Sequence, residues 1–413
     1  MDNKSVIVLG GGVGGLVAAN ELRQLLPNNH RVILIERNEV HAFAPSFLWV
    51  MTGARKPQQI VRPTKSLLRS GVEFVMANVN AIDTNRSVVE TDSGTIGYDY
   101  LIVALGAELS PKNIPGLEEA SHTYYTLDGS SRLYNALKEF RGNAIALVVA
   151  SMPYKCPGAP LEGAMLIADF FRKTGRASKV EMHLFTPESQ PMPVAGPVLG
   201  NAAIEMLSAR GISYHPLHKL NSVNPSAKQL EFDGKGSFGF DLLVAIPPHS
   251  APEVVRQSSL ANESGWIPVD RGSLSTKAEN VFAIGDVTSI PIPGRWKPDV
   301  PLMLPKAGVF AHVQASVVAS QIAAKVLGRK SSASFCGDGY CMLEAGEDLA
   351  GFAYGNFFAE PSPEVKLKQI GKSWHIGKVL FEKWWLEQYG IRRELYRQSI
   401  ALGSRLMGIP SNI

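Results

Sequence analysis

Cysteine is scarce in this chain, with three residues among 413. That is too few for the disulfide framework of a stapled secreted fold, so any cysteine function must be local chemistry. Charge of one sign is also lacking: the net charge is +4 and charged residues make up 19%. No basic run interleaved with aromatics occurs, which argues against nucleic acid as a partner. No apolar stretch approaches the ~18 to 20 residues of a membrane span, so any membrane contact is expected to be peripheral. The N-terminus reads MDNKSVIVLGGG and enters a strand almost at once. It has no basic, apolar and cleavage regions of a secretory signal, so export by a cleaved signal is not expected. The length exceeds what one compact core accommodates, and two or three domains are expected.

What is present is an alternation of short apolar runs and helical stretches. Residues 5–9 form a β-rich run, a glycine cluster follows, residues 16–26 carry a helical pattern, and a second run at 31–35 ends at Glu36. This is a βαβ unit, the opening of a doubly wound α/β fold. Another buried run covers 100–105. The pattern then restarts, with strands at 144–150 and 180–185 around a helix at 161–173. Further strands at 241–246 and 280–284, and a helix at 307–327, complete the reading. The expected fold is α/β, two Rossmann-like dinucleotide-binding domains in tandem plus a C-terminal amphipathic helical region. The expected division is 1–113 and 271–330 for a first domain, and 114–270 for a second. Residues 331–413 form the remainder.

Gly10, Gly12 and Gly15 make a G-x-G-x-x-G loop between the first strand and its helix, and Glu36 lies 21 residues beyond Gly15. The first glycine permits the tight turn, the second lets backbone approach a pyrophosphate, and the third lets helix and strand pack closely. Free N–H groups and the helix dipole then favour the anion, and the carboxylate of Glu36 can accept from ribose hydroxyls. The loop alone does not separate NAD from FAD. Residues 276–286 (TKAENVFAIGD) and 98–106 (YDYLIVALG) resemble two further motifs of the pyridine nucleotide-disulfide reductase superfamily. That resemblance implies FAD, with Gly285 and Asp286 at the ribityl chain and Ala104 and Gly106 along the cofactor.

In the second unit the glycine fingerprint is gone. The strand at 144–150 runs into Ser151, Met152 and then PYKCPGAPLE at 153–162, so prolines and side chains fill the place where a pyrophosphate would need bare backbone. A nicotinamide reductant is therefore not expected. PYKCPGAPLE and FCGDGYCMLEAG (335–346) resemble the two cysteine motifs of sulfide:quinone oxidoreductases and of the flavoprotein subunit of flavocytochrome c sulfide dehydrogenase. LPKAG (304–308) resembles the family's flavin-facing loop. The resemblance implies Cys156 and Cys341 as a redox pair beside the flavin. It also implies Lys306 and Gly308 at a helix N-terminus near the flavin's pyrimidine edge. Glu162 is a candidate proton shuttle or a first-turn helix acid. Pro45 lies along the flavin or is a plain turn proline. The family's third cysteine and its neighbouring histidine have no counterpart in residues 123–129 (TYYTLDG), and residues 43–47 offer no cysteine to tether a flavin, so FAD is expected to be non-covalent. Cys336 is spare, either a third sulfur or a packing residue. One C-x4-C pair without further ligands argues against a metal.

Residues 374–386 (WHIGKVLFEKWWL) place Ile376, Val379, Leu380 and Trp384 on one helical face, with Lys378 and Lys383 off it. A second stretch has Ile391, Leu395, Ile400, Leu402 and Leu406 with Arg392, Arg393 and Arg397. Basic amphipathic helices rich in Trp suit a membrane interface and can frame a slot for a quinone. Packing against the body or against a second subunit is the alternative, and a homo-oligomer is compatible with either. The resemblance implies a peripheral membrane enzyme that oxidises sulfide and reduces a quinone, yielding zero-valent sulfur or polysulfide. Three rivals stand beside it: a sulfide dehydrogenase subunit donating to a cytochrome c, a type II NADH:quinone oxidoreductase, and a non-enzymatic flavin-binding sulfide sensor.

Overall fold

The computed structural model describes residues 3–409. Strand Ser5–Leu9 sits at the centre of a five-stranded sheet, paired in parallel with Arg31–Glu36 on one side and Tyr100–Val103 on the other. Val72–Met76 and Val281–Ala283 complete the two edges, also in parallel. Both faces are covered, so Val6, Ile7, Val8 and Leu9 are fully buried, as the near-continuous apolar sequence of a parallel strand requires. Strand order reverses at Ser5–Leu9, and the crevice that such a reversal opens lies beyond the carboxyl ends of these strands. Gly10, Ala104 and Ile284 stand there.

The second sheet repeats the plan. Its order is Ser121–His122, Leu242–Ile246, Ala144–Val149, Glu181–Phe185 and Ile212–His215, parallel throughout. Ile114 and Leu117 already pack with this sheet. Ala251, Val255, Leu260, Trp266 and Ile267 pack instead with the first sheet. The chain thus returns to the first core near residue 251, some twenty residues before the expected 271, because this apolar cluster covers the face that Ile7 and Val103 present.

Helix Gly308–Val326 is long and apolar enough to span a bilayer by composition, unlike what the sequence led us to expect. It is a core helix: Phe310, Ala315, Val318, Ala319 and Ile322 pack with Leu16, Ala19 and Leu22 of helix Val13–Leu25.

The C-terminal region is not wholly helical. Asp338–Gly346, Leu349–Asn356 and Glu364–Gly371 form an antiparallel three-stranded sheet before the helices Lys372–Leu386 and Ile391–Leu406. The sheet carries Cys341 in the middle of its first strand.

Candidate active site

The glycine loop has the geometry its spacing suggests. Gly10 holds φ +97°, and a β-carbon there would lie 2.5 Å from the Ala104 carbonyl. A β-carbon on Gly15 would lie 1.8 Å from the Gly10 carbonyl, so helix Val13–Leu25 meets its strand only without one. Gly12 faces open space instead. Glu36 accepts the Gly11 N–H at 2.6 Å and the Asn38 N–H at 2.7 Å, which fixes its carboxylate at the rim of the loop. Gly285 (φ +73°) donates its N–H to Gln314 at 2.7 Å, and the buried Asp286 Oδ1 has no protein partner. An orphaned buried carboxylate oxygen is costly unless a ligand hydroxyl satisfies it. Bare backbone at one end and an acceptor at the other fit a dinucleotide cofactor. His41 donates from Nδ1 to the Gly11 carbonyl (3.0 Å) and accepts the Trp385 Nε1–H at Nε2 (2.9 Å), tying the C-terminal helix to this loop.

A cavity of about 1720 Å³ runs from Glu36 to the second domain. Gly10, Gly12, Glu36, Pro45, Ala104, Gly106, Gly285, Asp286, Lys306, Gly308, Cys156, Cys341 and Glu162 all line it. Gly15 does not; it packs beneath the turn. Cys336 does not either: it is exposed, its thiol 3.5 Å from the Ser334 carbonyl, so it neither packs in a core nor joins the other two sulfurs.

Cys156 sits in a loop held from three sides. Its own φ is +58°, its N–H donates to the Lys306 carbonyl at 2.6 Å, and its carbonyl accepts the Ala159 N–H at 2.9 Å, where helix Ala159–Lys173 begins. Tyr124 donates to the Ala159 carbonyl (2.9 Å) and Tyr125 to the Lys155 carbonyl (3.0 Å). The stretch without the family's third cysteine thus supplies a tyrosine clamp. Cys341 approaches the same place from its strand. A methyl group on Gly158 would be 3.4 Å from Cys341 Sγ and 4.0 Å from Glu162 Oε2. Cys156 is open to the cavity yet ringed by protein, and this desolvation, with the charge of Glu162, pushes its thiol up to about 12. Burial and the same carboxylate push Cys341 up as well, while Lys378 pulls both down.

Lys306 is buried just before helix Gly308–Val326. Its Nζ donates to the carbonyls of Asp286 (2.7 Å) and Thr288 (3.0 Å) and stands 3.4 Å from the Trp266 ring centre. Burial lowers it to about 8 against the attraction of Asp286. Two of its three donors are engaged by these carbonyls.

The helix Lys372–Leu386 lies where the sequence places it, with Trp384 buried, but its packed face differs in part. Ile376 is exposed, whereas Lys378, expected off the packed face, is buried with Glu382, Trp374 and Trp385. The reason is charge: Lys378 Nζ meets Glu162 Oε1 at 2.5 Å, and Glu382 pairs with Arg55 at 2.9 Å and accepts from Ser46. The Glu344 N–H also donates to Glu162 Oε1, at 2.9 Å, and the Glu344 carboxylate holds His375 Nδ1 at 2.9 and 3.1 Å. Lys378, Glu344 and His375 were all missed. For Lys378 the available signal was the i, i+4 spacing of Trp374, Lys378 and Glu382, with Trp385 a further turn on. Glu188, also missed, lines the cavity beyond Tyr154, and burial raises it to about 6.

A family described as pyridine nucleotide-disulphide oxidoreductase matches residues 4–317. The chain is 32% identical over 305 residues to the mitochondrial sulfide:quinone oxidoreductase of Mus musculus, which covers 69% of this chain and 66% of that protein's length. It is 30% identical over 406 residues to the sulfide-quinone reductase of Aquifex aeolicus, covering 93% and 90%. The X-ray structure of the sulfide:quinone oxidoreductase from Aquifex aeolicus superposes with a TM-score of 0.82 at 26% identity, over 92% of this chain and 90% of that one. The chain belongs to the pyridine nucleotide-disulphide oxidoreductase family of flavoproteins, in its sulfide:quinone oxidoreductase branch.

Proposed function

We propose that this chain oxidises sulfide at the Cys156–Cys341 pair and passes the electrons, through non-covalently held FAD, to a membrane quinone. One observation carries the reading. The dinucleotide cradle, two cysteines from different elements and a buried Glu162–Lys378 pair converge on a single cavity. They do so where the second domain has lost its own nucleotide loop.

FAD would be held by Gly10, Gly12, Glu36, Gly285 and Asp286, with Pro45, Ala104, Gly106, Lys306 and Gly308 along its length. When bound it supplies the two-electron acceptor that returns the cysteines to their bridged form. The residues of the chain do the rest. Both thiols are held up by burial, so the reduced pair is protonated at neutral pH and a poor nucleophile. The sulfide anion must therefore attack a Cys156–Cys341 bridge. The S–S bond breaks, a persulfide forms on one sulfur and a thiolate leaves from the other. Lys378 eases the thiolate electrostatically, and Glu162 takes the persulfide proton. A second sulfide then attacks the outer sulfur, which leaves as polysulfide or, when that chain sheds it, zero-valent sulfur, and the cysteine it leaves becomes a thiolate, so that both cysteine sulfurs are reduced before the bridge is restored.

At the other end the cavity is walled by Phe43, Phe381 and Trp385, whose ring centres lie 6.1 to 6.4 Å apart. A flat apolar ring such as a quinone suits that wall. The last helix leaves Ile391, Leu395, Leu402 and Leu406 57 to 82% exposed, interleaved with Arg392, Arg397 and Arg405, which supports peripheral attachment to a membrane.

The test is anaerobic. Purified flavin-loaded protein is mixed with sulfide, or separately with NADH, while flavin absorbance is followed, and a short-chain quinone is then added. Bleaching by sulfide and recovery on quinone are expected. Bleaching by NADH alone would replace this reading with a nicotinamide-dependent one.

A further inference from the structure

A second cavity lies between the end of helix Val13–Leu25, the turn Thr64–Leu67 and the link joining the last two helices. It shares no lining residue with the flavin cavity. It is an open cleft of about 550 Å³, lined by Arg23, Lys65, Arg69 and Tyr389, with Gln24 and Gln388 also in its wall.

Hydrogen bonds fix its cations. Arg23, only 8% exposed, donates to the carbonyls of Leu26 (2.7 Å), Pro27 (2.6 Å) and His30 (2.8 Å), at the helix end whose dipole favours a cation. Asn20 donates to the Leu67 carbonyl (3.0 Å) and accepts the Arg69 N–H (2.7 Å), which fastens the turn to the helix. The Arg69 guanidinium stands 4.4 Å from the Tyr389 ring centre, and that of Arg393 stands 4.5 Å from the same centre. Arg393 also donates to the carbonyls of Trp385 (3.2 Å) and Glu387 (2.6 Å).

Charge is one-sided here. Among the described residues no carboxylate comes within 4.0 Å of the charged nitrogens of Arg23, Lys65, Arg69 or Arg393. Glu387 attracts Arg393 from further off, and Glu21 feels Arg69 but is raised by burial and accepts from Ser316 at 2.6 Å. Arg69 and Arg393 oppose each other across the tyrosine. An anion between them would relieve that opposition, and guanidinium groups grip a phosphate through paired N–H···O bonds while a lysine adds a point charge.

The neighbouring surface says which phosphate. Tyr389 precedes Ile391 by two residues. Ile391, Leu395, Leu402 and Leu406 recur at i, i+4, i+11 and i+15, one exposed stripe of helix Ile391–Leu406. Leu25, next to Gln24, is exposed as well. A stripe that enters the acyl boundary sets the adjoining cleft at headgroup depth.

We propose that this cleft receives the phosphate of an anionic phospholipid, so that the chain selects its membrane as well as touching it. This rests on the peripheral attachment read above and names its lipid class. The cleft offers donors in a fixed array, whereas Arg392 and Arg405, exposed on the last helix, meet only the diffuse surface potential.

The test is co-sedimentation of flavin-loaded protein with phosphatidylcholine vesicles, with and without phosphatidylglycerol. It is run at about 1 M salt, where the screening length is ~3 Å and exposed charges count for little. Wild type is expected to keep a preference of about tenfold or more for the phosphatidylglycerol vesicles, as one charged hydrogen bond supplies. Arg392→Gln with Arg405→Gln should keep that preference. Lys65→Gln with Arg69→Gln should lose it and retain full flavin. If this pair loses flavin, Lys65→Gln alone, at an exposed residue, should still cut the preference about fivefold. A wild-type preference that vanishes in salt, or one that Lys65→Gln with Arg69→Gln leaves intact, overturns the site and leaves attachment standing. Wild type that sediments with no vesicle overturns the attachment reading instead. The cleft is then judged by calorimetric titration with a short-chain phosphatidylglycerol below its micelle concentration, which wild type should bind and the Lys65→Gln, Arg69→Gln protein should not; no binding by wild type overturns the site. Inorganic phosphate bound as tightly as that lipid would make the cleft a free-anion site and overturn the lipid assignment.

Discussion

Replacing Lys378 by methionine would leave two buried carboxylates without their ammonium. The Lys378 and Glu162 side chains are 9% and 3% exposed, and Glu344 is 1% exposed. Desolvating each ion costs several kcal/mol, offset here by the close pair and by the Glu344 N–H on the same oxygen. Removing one partner strands the other, and the expected loss is about 3–5 kcal/mol. Removing both, in Lys378→Met with Glu162→Gln, deletes the stranded charge and should recover most of that loss. The assay is urea unfolding of the flavin-loaded proteins, arranged as a double-mutant cycle. Midpoints are compared because a chain with several cores need not unfold in one step. A Lys378→Met midpoint equal to wild type, or strictly additive losses in the cycle, would refute the idea that this pair is buried and coupled.

Gly15→Ala and Gly12→Ala should part company. The first places a β-carbon 1.8 Å from the Gly10 carbonyl and is expected to abolish flavin content and most soluble yield, whereas the second meets nothing within 4 Å and should fold while holding less flavin. Absorbance at the flavin band relative to protein measures both. Lys306, lowered to about 8 from an ordinary 10.5, binds its proton less well when folded. Burial of its ammonium therefore opposes folding most below pH 8, and stability should rise between about pH 8 and 10.5 by on the order of 3 kcal/mol. Lys306→Met should lack that rise in parallel melts. Replacing Ile391, Leu395, Leu402 and Leu406 by serine should abolish co-sedimentation with vesicles and leave sulfide bleaching intact; retained sedimentation would assign the face to another role.

The parts of the site legible in the sequence are those that need a particular backbone. Gly10 and Gly15 stand where a β-carbon would strike a carbonyl, so their spacing survives as a readable pattern. The two Rossmann-like units were legible because buried parallel strands are nearly continuous apolar runs. The sheet of residues 338–371 was not, because its first two strands mix polar residues and Gly with apolar positions and the alternation of the third, EVKLK, lasts only five residues. Lys378 was misread for a physical reason. Helical periodicity assumes that charge faces water, and two carboxylates from distant elements reversed that rule here. No local pattern announces Glu344 and His375, since their pairing exists only once strand Asp338–Gly346 meets helix Lys372–Leu386. The boundary near 251 was missed because the apolar residues that return to the first core form short, irregular elements.

The central claim is that sulfide electrons enter through Cys156 and Cys341, and stopped-flow reduction by sulfide of four flavin-loaded proteins tests it most directly. Wild type and Cys336→Ser should bleach alike, since Cys336 lies outside the cavity, while Cys156→Ser and Cys341→Ser keep their flavin and do not bleach. Bleaching of Cys156→Ser at the wild-type rate would contradict the account.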